Sequence, residues 1–211
     1  MGLPEGAPVW PIWSIPREWE GERCFILCGG ESLKTQRKLI PHLKGRIIAV
    51  KQSVMLRPTA DVLFIGGESL DYIAKQLLTM FKGTYSIIRG KSIPTLSREV
   101  KRVGRWKDHT TLSTLPTKVC GYDSGTSAIN AAYLFGATEI VLLGYDMCGG
   151  RWFTGELFHP MPQIPQSHFD GHMAPLPKLA EDCKRKGIRV VNCSPISAVK
   201  CFEKQPLEAF L

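Results

Sequence analysis

The sequence has no apolar run of the ~20 residues that a membrane-spanning helix needs. Its amino terminus has no basic stretch followed by an apolar segment, so we expect no signal peptide and a cytoplasmic protein. The seven cysteines are irregularly spaced and form no CxxC pair, which argues against a cysteine zinc site. Those at positions 24, 28 and 193 lie in apolar runs, where we expect buried free thiols. Neither GxGxxG nor a P-loop occurs.

Negative charge is also scarce. The 211 residues carry a formal charge of +8, and the pI is about 9.2. This excess favours an anionic partner such as a nucleotide or nucleic acid, although a solvated basic surface explains it as well. Basic residues cluster between positions 89 and 117, in a segment without an RNA-binding signature or zinc-finger spacing.

Composition and pattern predict one folded domain with an extended arm. Residues 1–22 contain four prolines and three tryptophans, so we expect an arm that packs its tryptophans on the domain. Residues 23–211 alternate apolar strand-like runs with helical patterns, which predicts a Rossmann-like α/β domain: a mostly parallel sheet with helices on both faces. The basic segment at about 89–117 would be a long connection or small lid, and residues 196–204 a short final helix.

The loops that follow the strands hold the candidate ligand contacts, because ligands of open α/β sheets bind beyond the carboxyl ends of the strands. Glycine turns and helix starts in these loops can offer backbone N–H groups to an anion. The same features are also explained as tight turns and plain helix caps. The candidates are Gly29, Gly30, Ser32, Lys51, Gly67, Ser124, Gly125, Thr126 and Asp146.

Two of the five histidines, His168 and His172, stand four positions apart in "SHFDGHM". A zinc site of the HExxH type is disfavoured because the glutamate is missing and Gly171 argues against a regular helix. Asp146 or His159 would be needed as a further ligand. A histidine with a pKa near 6.5 can instead take a proton from a hydroxyl at neutral pH, so we interpret this stretch as an active-site loop. An exposed loop without a function is the remaining alternative.

Five sequence blocks follow one another in a familiar order: "FILCGGESLK", "ADVLFIGGESL", "SGTSAINAAYLFGATEIVLLGYD", "SHFDGHM" and "NCSPIS". In this order the chain resembles bacterial sialyltransferases that use CMP-sialic acid, together with related sialyltransferase-like and MptE-like (DUF115) proteins, many of them phage-encoded. The resemblance covers residues 24–203. It implies a GT-A-variant glycosyltransferase fold and, for a phage-encoded chain, a location in the bacterial cytoplasm.

The resemblance also implies roles for single residues. His172 matches the general base, with His168 in support, and the turns at Gly29, Gly30 and Ser32 and at Ser124 and Gly125 would hold CMP. It implies direct transfer of the sugar with inversion and without a metal ion. Several asparagines of the family are replaced here, by Gly29, Lys51 and Gly67. An arginine has become Gly121, and the family's tyrosines fall near Cys148 and Trp152. Lys51 and Arg151 could replace lost phosphate contacts.

Three functions therefore stay open. The first is a metal-independent glycosyltransferase that uses a nucleotide-activated sugar. The second is an MptE-like ATP-dependent diphosphokinase, which would need Mg²⁺ held by carboxylates such as Asp146. The third is a non-catalytic nucleotide- or nucleic-acid-binding phage protein, and a homo-oligomer is compatible with all three.

Overall fold

In the part of the chain that the structure describes, nine parallel strands form one central sheet. The computed structural model describes residues 11–66, 71–90, 100–153 and 164–211. The strands are β1 Arg23–Leu27, β2 Arg46–Val50, β3 Val62–Gly66, β4 Tyr85–Arg89, β5 Lys101–Arg105, β6 Lys118–Val119, β7 Glu139–Leu143, β8 Arg189–Asn192 and β9 Glu203–Lys204. Their order is β6-β5-β4-β3-β2-β1-β7-β8-β9. Strands β2 to β6 are therefore added on one side of β1, and strands β7 to β9 are added on its other side, so the strand order reverses between β1 and β7.

Helices cover both faces of this sheet, as the strand–helix alternation predicts. The α-helices are α1 Leu33–Gln36, α2 Asp71–Met80, α3 Ser124–Phe135, α4 Gln166–Met173 and α5 Leu176–Arg185, and 3-10 helices span Ile40–His42, Lys51–Met55 and Leu207–Phe210. Side chains of α3 and α5 pack on one face, and those of α1 and α2 pack on the other. None of the helices within the described ranges is long and apolar enough to cross a membrane.

The described part of the amino-terminal arm packs closely on the domain. Trp19 is 1% exposed and stacks on Phe135 of α3 at 4.0 Å between ring centroids. Ile15 is also buried, and the backbone of Trp13 donates a hydrogen bond to Arg102 of β5. Residues 11–22 therefore complete the core beside α3, and Ile12 adds one parallel bridge to Arg102 of β5.

Two expectations about the ends of the sheet are wrong. Part of the basic segment 89–117 is β5, which pairs with β4 and buries only Val103 fully, so no apolar run marks it. Residues 196–204 form no helix. The backbone N–H of Val199 donates a 3.1 Å hydrogen bond to the Ser197 hydroxyl, and local side-chain bonds of this kind compete with helical ones. Glu203 and Lys204 then pair with β8.

The stretch "SHFDGHM" is helical, which corrects its interpretation as a loop. It forms most of α4, which follows Pro165 in an extended conformation. Gly171 faces open space within this helix, and a glycine there costs only about 1 kcal/mol. Phe169 and Met173 pack against the core on one side of α4, and this packing supports the helix in spite of the glycine.

Candidate functional site

A cleft of about 430 Å³ opens at the carboxyl ends of β1, β2 and β7. Its position matches the reversal of strand order between β1 and β7, where open α/β sheets bind their ligands. Predicted site residues that line it are Gly29, Gly30, Lys51, Ser124, Gly125, Asp146, Arg151, His168 and His172. Ser32 and Thr126 are buried next to this lining. Gly67, also predicted for this site, lies outside the described residues, as does His159.

The two glycines after β1 differ in what their backbones face. A Cβ atom at Gly30 would lie 2.5 Å from Asp146 Oδ2 and 2.5 Å from the carbonyl oxygen of Gly144. A Cβ atom at Gly29 would meet only a ring carbon of Phe153, at 3.9 Å. The protein's own packing thus requires a glycine at position 30, whereas position 29 faces the cleft with room to spare.

Asp146 fastens the loop after β7 to the start of α1. Its Oδ2 accepts a 2.8 Å hydrogen bond from the backbone N–H of Ser32. The Ser32 side chain makes no capping bond to α1, and its backbone is already helical (φ −48°, ψ −32°) rather than in the extended conformation typical of a capping residue. Burial is the main influence on Asp146 and raises its pKa. Asp146 thus lines the cleft and also fixes the turn between β1 and α1 through its bond to Ser32.

The start of α3 is capped by Asp123 rather than by Ser124. Asp123 Oδ1 accepts a hydrogen bond from the N–H of Thr126 at 2.9 Å, and the Thr126 hydroxyl bonds to Asp123 and to the hydroxyl of Tyr145. Ser124 donates to the carbonyl oxygen of Gly66, and Gly125 packs against the ring of Tyr145. A carboxylate therefore already occupies the N-terminal end of α3, which makes this end a poor place for a phosphate.

Three cationic side chains from other elements line the cleft instead. Lys51 follows β2, Arg151 follows β7 and pairs with the backbone of Gly30, and Arg89 ends β4. Burial is the main reason that the pKa of Lys51 falls to about 8; Asp123 opposes this shift, and the charges of Arg89 and Arg151 add to it. The three cations are thus close enough to repel one another, as expected for a site that receives an anion.

Arg89 is a site residue that the sequence analysis missed. It was counted in the basic cluster, yet it is 4% exposed and donates hydrogen bonds to the carbonyl oxygen of Gly121 at 2.5 Å and to the Ser127 hydroxyl. Gly121 has a φ of +102°, and a Cβ atom there would lie 2.6 Å from Thr126. An arginine cannot stand at position 121 in this geometry. The apolar run "YSII" that ends at Arg89 could have indicated that this arginine ends a buried strand.

The histidine pair lines the same cleft. The rings of His168 and His172 are 4.2 Å apart between centroids, on one side of α4. Tyr122, which is 49% exposed, lies parallel to His172 at 6.2 Å between centroids.

Burial is the main reason that the pKa of His172 lies below its ordinary value. Asp123 opposes this shift, whereas His168, Arg89 and Lys51 add to it. This shift favours the neutral form of His172, which can accept a proton.

The cysteines and metal-binding residue types form no further site in the described ranges. Cys24, Cys28 and Cys193 are buried free thiols, and burial raises the pKa of each. No group of three or more His, Cys, Asp or Glu side chains in residues 11–66, 71–90, 100–153 and 164–211 could hold a metal ion.

Solved structures with a similar fold are glycosyltransferases. The MAf glycosyltransferase from Magnetospirillum magneticum AMB-1 has 14% sequence identity and a TM-score of 0.59, over 97% of this chain and 36% of that chain. Sialyltransferase CstII from Campylobacter jejuni, in complex with CMP-3FNeuAc, has 16% identity and a TM-score of 0.51, over 87% of this chain and 85% of that chain. No family model matches the sequence, and no curated protein matches it.

The chain has a sialyltransferase-like fold. This confirms the fold expected from the order of the sequence blocks. The protein spans little more than a third of the MAf glycosyltransferase, at 36% of that chain. Nothing in these comparisons bears on a phage origin or on the DUF115 branch.

Proposed function

We propose that this protein transfers a sugar from a nucleotide-activated donor of the CMP-sugar type to an acceptor hydroxyl. The proposal rests on one observation: a histidine that can act as a base and two cationic side chains line the same cleft. His172, whose pKa is lowered by burial, lines this cleft together with the cations Lys51 and Arg151. Glycosyl transfer needs a base for the acceptor and positive charge for the leaving phosphate.

The reaction follows from these positions. His172 takes the proton from the acceptor hydroxyl while that oxygen forms the new bond to the anomeric carbon of the sugar. The bond from this carbon to the phosphate oxygen breaks, its electron pair stays with the phosphate, and the configuration at the carbon inverts. Lys51 and Arg151 balance the negative charge that develops on the leaving group. His168, whose ring contacts that of His172, supports the orientation of the base.

A binding experiment tests the nucleotide part of this proposal. Thermal unfolding would be followed with CMP, UMP, GMP and ADP and with their sugar conjugates. A ligand at 100 times its Kd stabilises the fold by about 2.7 kcal/mol. We expect CMP to stabilise the wild-type protein and to lose most of this effect in Lys51→Met. Lys178→Met is the matched control, because Lys178 is exposed on α5.

Three outcomes of that experiment would count against the proposal. If no nucleotide shifts the melting temperature, the nucleotide site is absent. If ADP stabilises the fold and CMP does not, and ATP with Mg²⁺ yields AMP, the diphosphokinase alternative is favoured. If only nucleic acid binds, with an affinity that falls steeply with salt, the basic surface is the functional feature.

A further inference from the structure

One stretch of the sequence carries almost all of the protein's excess positive charge. Residues 32–60 contain seven lysines and arginines and no aspartate or glutamate. Because the whole chain has a formal charge of +8, the residues outside this stretch carry only +1. Of the seven cations, Lys51 alone lines the cleft. The proposed transfer reaction therefore leaves most of this charge without a role.

The structure separates the paired cations of this stretch from the unpaired ones. Lys34 pairs with Glu31 at 2.7 Å, and Arg46 bonds to Glu22 and Asp61. Four other cations of the stretch, and one that follows α2, form no ion pair with any residue in the described ranges. All are exposed or partly exposed. We call them the basic patch: Arg37, Lys38, Lys44, Arg57 and Lys82.

The basic patch lies at the amino ends of neighbouring strands. Lys44, Arg57 and Lys82 come shortly before β2, β3 and β4, which are adjacent and parallel. Arg57 Nη1 donates a 3.3 Å hydrogen bond to the carbonyl oxygen of Pro41, and the backbone N–H of Lys82 donates a 2.8 Å bond to that of Pro58. These bonds join the three segments into one surface. The cleft opens at the carboxyl ends of the strands, so the basic patch lies at the opposite edge of the sheet.

Apolar side chains are interspersed among these cations. Leu39, Leu56 and Phe81 are each adjacent in sequence to a residue of the basic patch, and each is only partly buried. The surface of an anionic bilayer suits both kinds of side chain, because its headgroups attract cations and its acyl boundary accepts apolar groups. The phosphates of a nucleic acid would use the cations alone. The composition of this surface therefore favours a lipid partner.

We propose that the basic patch docks the protein on an anionic lipid surface. Its position opposite the cleft leaves the cleft of the docked protein open to a soluble nucleotide sugar. The inference goes beyond the proposed function, because docking requires neither the base His172 nor a bound donor.

The test measures sedimentation of the protein with vesicles. Vesicles made of equal parts of phosphatidylcholine and phosphatidylglycerol are compared with vesicles of phosphatidylcholine alone, and we expect the wild type to bind only the former. Each cation near an anionic membrane surface contributes about 5-fold to affinity, so Lys38→Gln combined with Lys82→Gln should weaken binding roughly 30-fold. Lys178→Gln combined with Lys184→Gln is the matched control. It removes the same charge from exposed positions on α5, and it should bind like the wild type.

The outcomes that overturn the proposal are distinct. Equal vesicle affinities of the two double variants would show that net charge, and not this surface, drives binding. Absence of wild-type binding to the anionic vesicles would exclude lipid docking. Binding of a DNA duplex through Lys38 and Lys82 without any vesicle binding would assign the basic patch to nucleic acid instead.

Two controls keep the test independent of folding and of the cleft. Cations that follow a helix also stabilise it, so the melting temperature of each variant is measured beside its binding. If the first pair melts below the wild type, Arg37→Gln combined with Lys44→Gln provides a second pair with the same expected loss. CMP binding should be unchanged in either pair, whether or not the proposed transfer function holds.

Discussion

Adjacent glycines should respond in opposite ways to alanine. In Gly30→Ala the new Cβ atom would lie 2.5 Å from both Asp146 Oδ2 and the carbonyl oxygen of Gly144. Relief of this overlap must displace the Asp146 carboxylate and strain its 2.8 Å bond to Ser32. Overpacking costs about 1–3 kcal/mol, and a hydrogen bond to a charged group contributes about 1.5–3 kcal/mol. We expect a loss of about 3–5 kcal/mol, which lowers the melting temperature by roughly 10 °C or more in a domain of this size.

Gly29→Ala is the matched control. Its nearest contact is Phe153 at 3.9 Å, and its φ does not lie in the left-handed region. Alanine there restricts the unfolded chain and should stabilise the fold by about 0.4–1 kcal/mol. The same substitution narrows the cleft, so we expect CMP to bind more weakly. Calorimetric unfolding and nucleotide titration of both variants make the comparison. Equal melting temperatures for the two variants, or a Gly30→Ala variant as stable as the wild type, would refute this account of the turn.

Three further predictions concern charged groups. The transfer rate should rise with pH through a midpoint below 6.5 and then level off, because burial lowers the pKa of His172. In a pH–rate profile, Asp123→Asn should move this midpoint to a lower pH, because the charge of Asp123 raises the pKa of His172. Arg89→Leu should lower the free energy of unfolding in urea by about 2–4 kcal/mol, because the buried carbonyl oxygen of Gly121 loses its hydrogen-bond donor. The same variant should raise the pH midpoint of His172, because the charge of Arg89 lowers its pKa. The pKa of Lys51 is about 8 in the folded protein and 10.5 in the unfolded chain, so folding releases a proton between these pH values. The free energy of unfolding of the wild type should therefore rise with pH over this range, by at most roughly 3 kcal/mol. Lys51→Met should lack this rise when both proteins are compared by chemical denaturation at pH 7.5 and pH 10.5.

The strongly apolar parts of the fold are predictable from the sequence. The buried strands β1, β2, β3 and β7 appear as apolar runs, and glycines follow β1, β3 and β7. The ends of these runs also predict which loops meet at one edge of the sheet. Strand β5, which lies next to the edge strand β6, is not predictable in this way, because Val103 is its single fully buried side chain among charged neighbours.

The site was predictable to the extent that it follows strand ends. Lys51, Asp146 and Arg151 line the cleft because each comes directly after a strand or shortly after one. Arg89 was missed for a physical reason: what sets it apart is its burial and its hydrogen-bond partners. Those properties depend on residues distant in sequence, such as Gly121 for Arg89.

The central claim, that His172 acts as the base for sugar transfer, is tested most directly by donor turnover. Release of nucleoside phosphate from a panel of nucleotide sugars, CMP-sugars included, would be measured for the wild type and for His172→Gln at equal occupancy by CMP. A positioned base contributes about 10²- to 10⁴-fold to the rate. We predict turnover of at least one donor by the wild type and a loss of that size in the variant, with CMP binding retained. Equal rates for the two proteins, or no donor consumed by the wild type, would contradict the account.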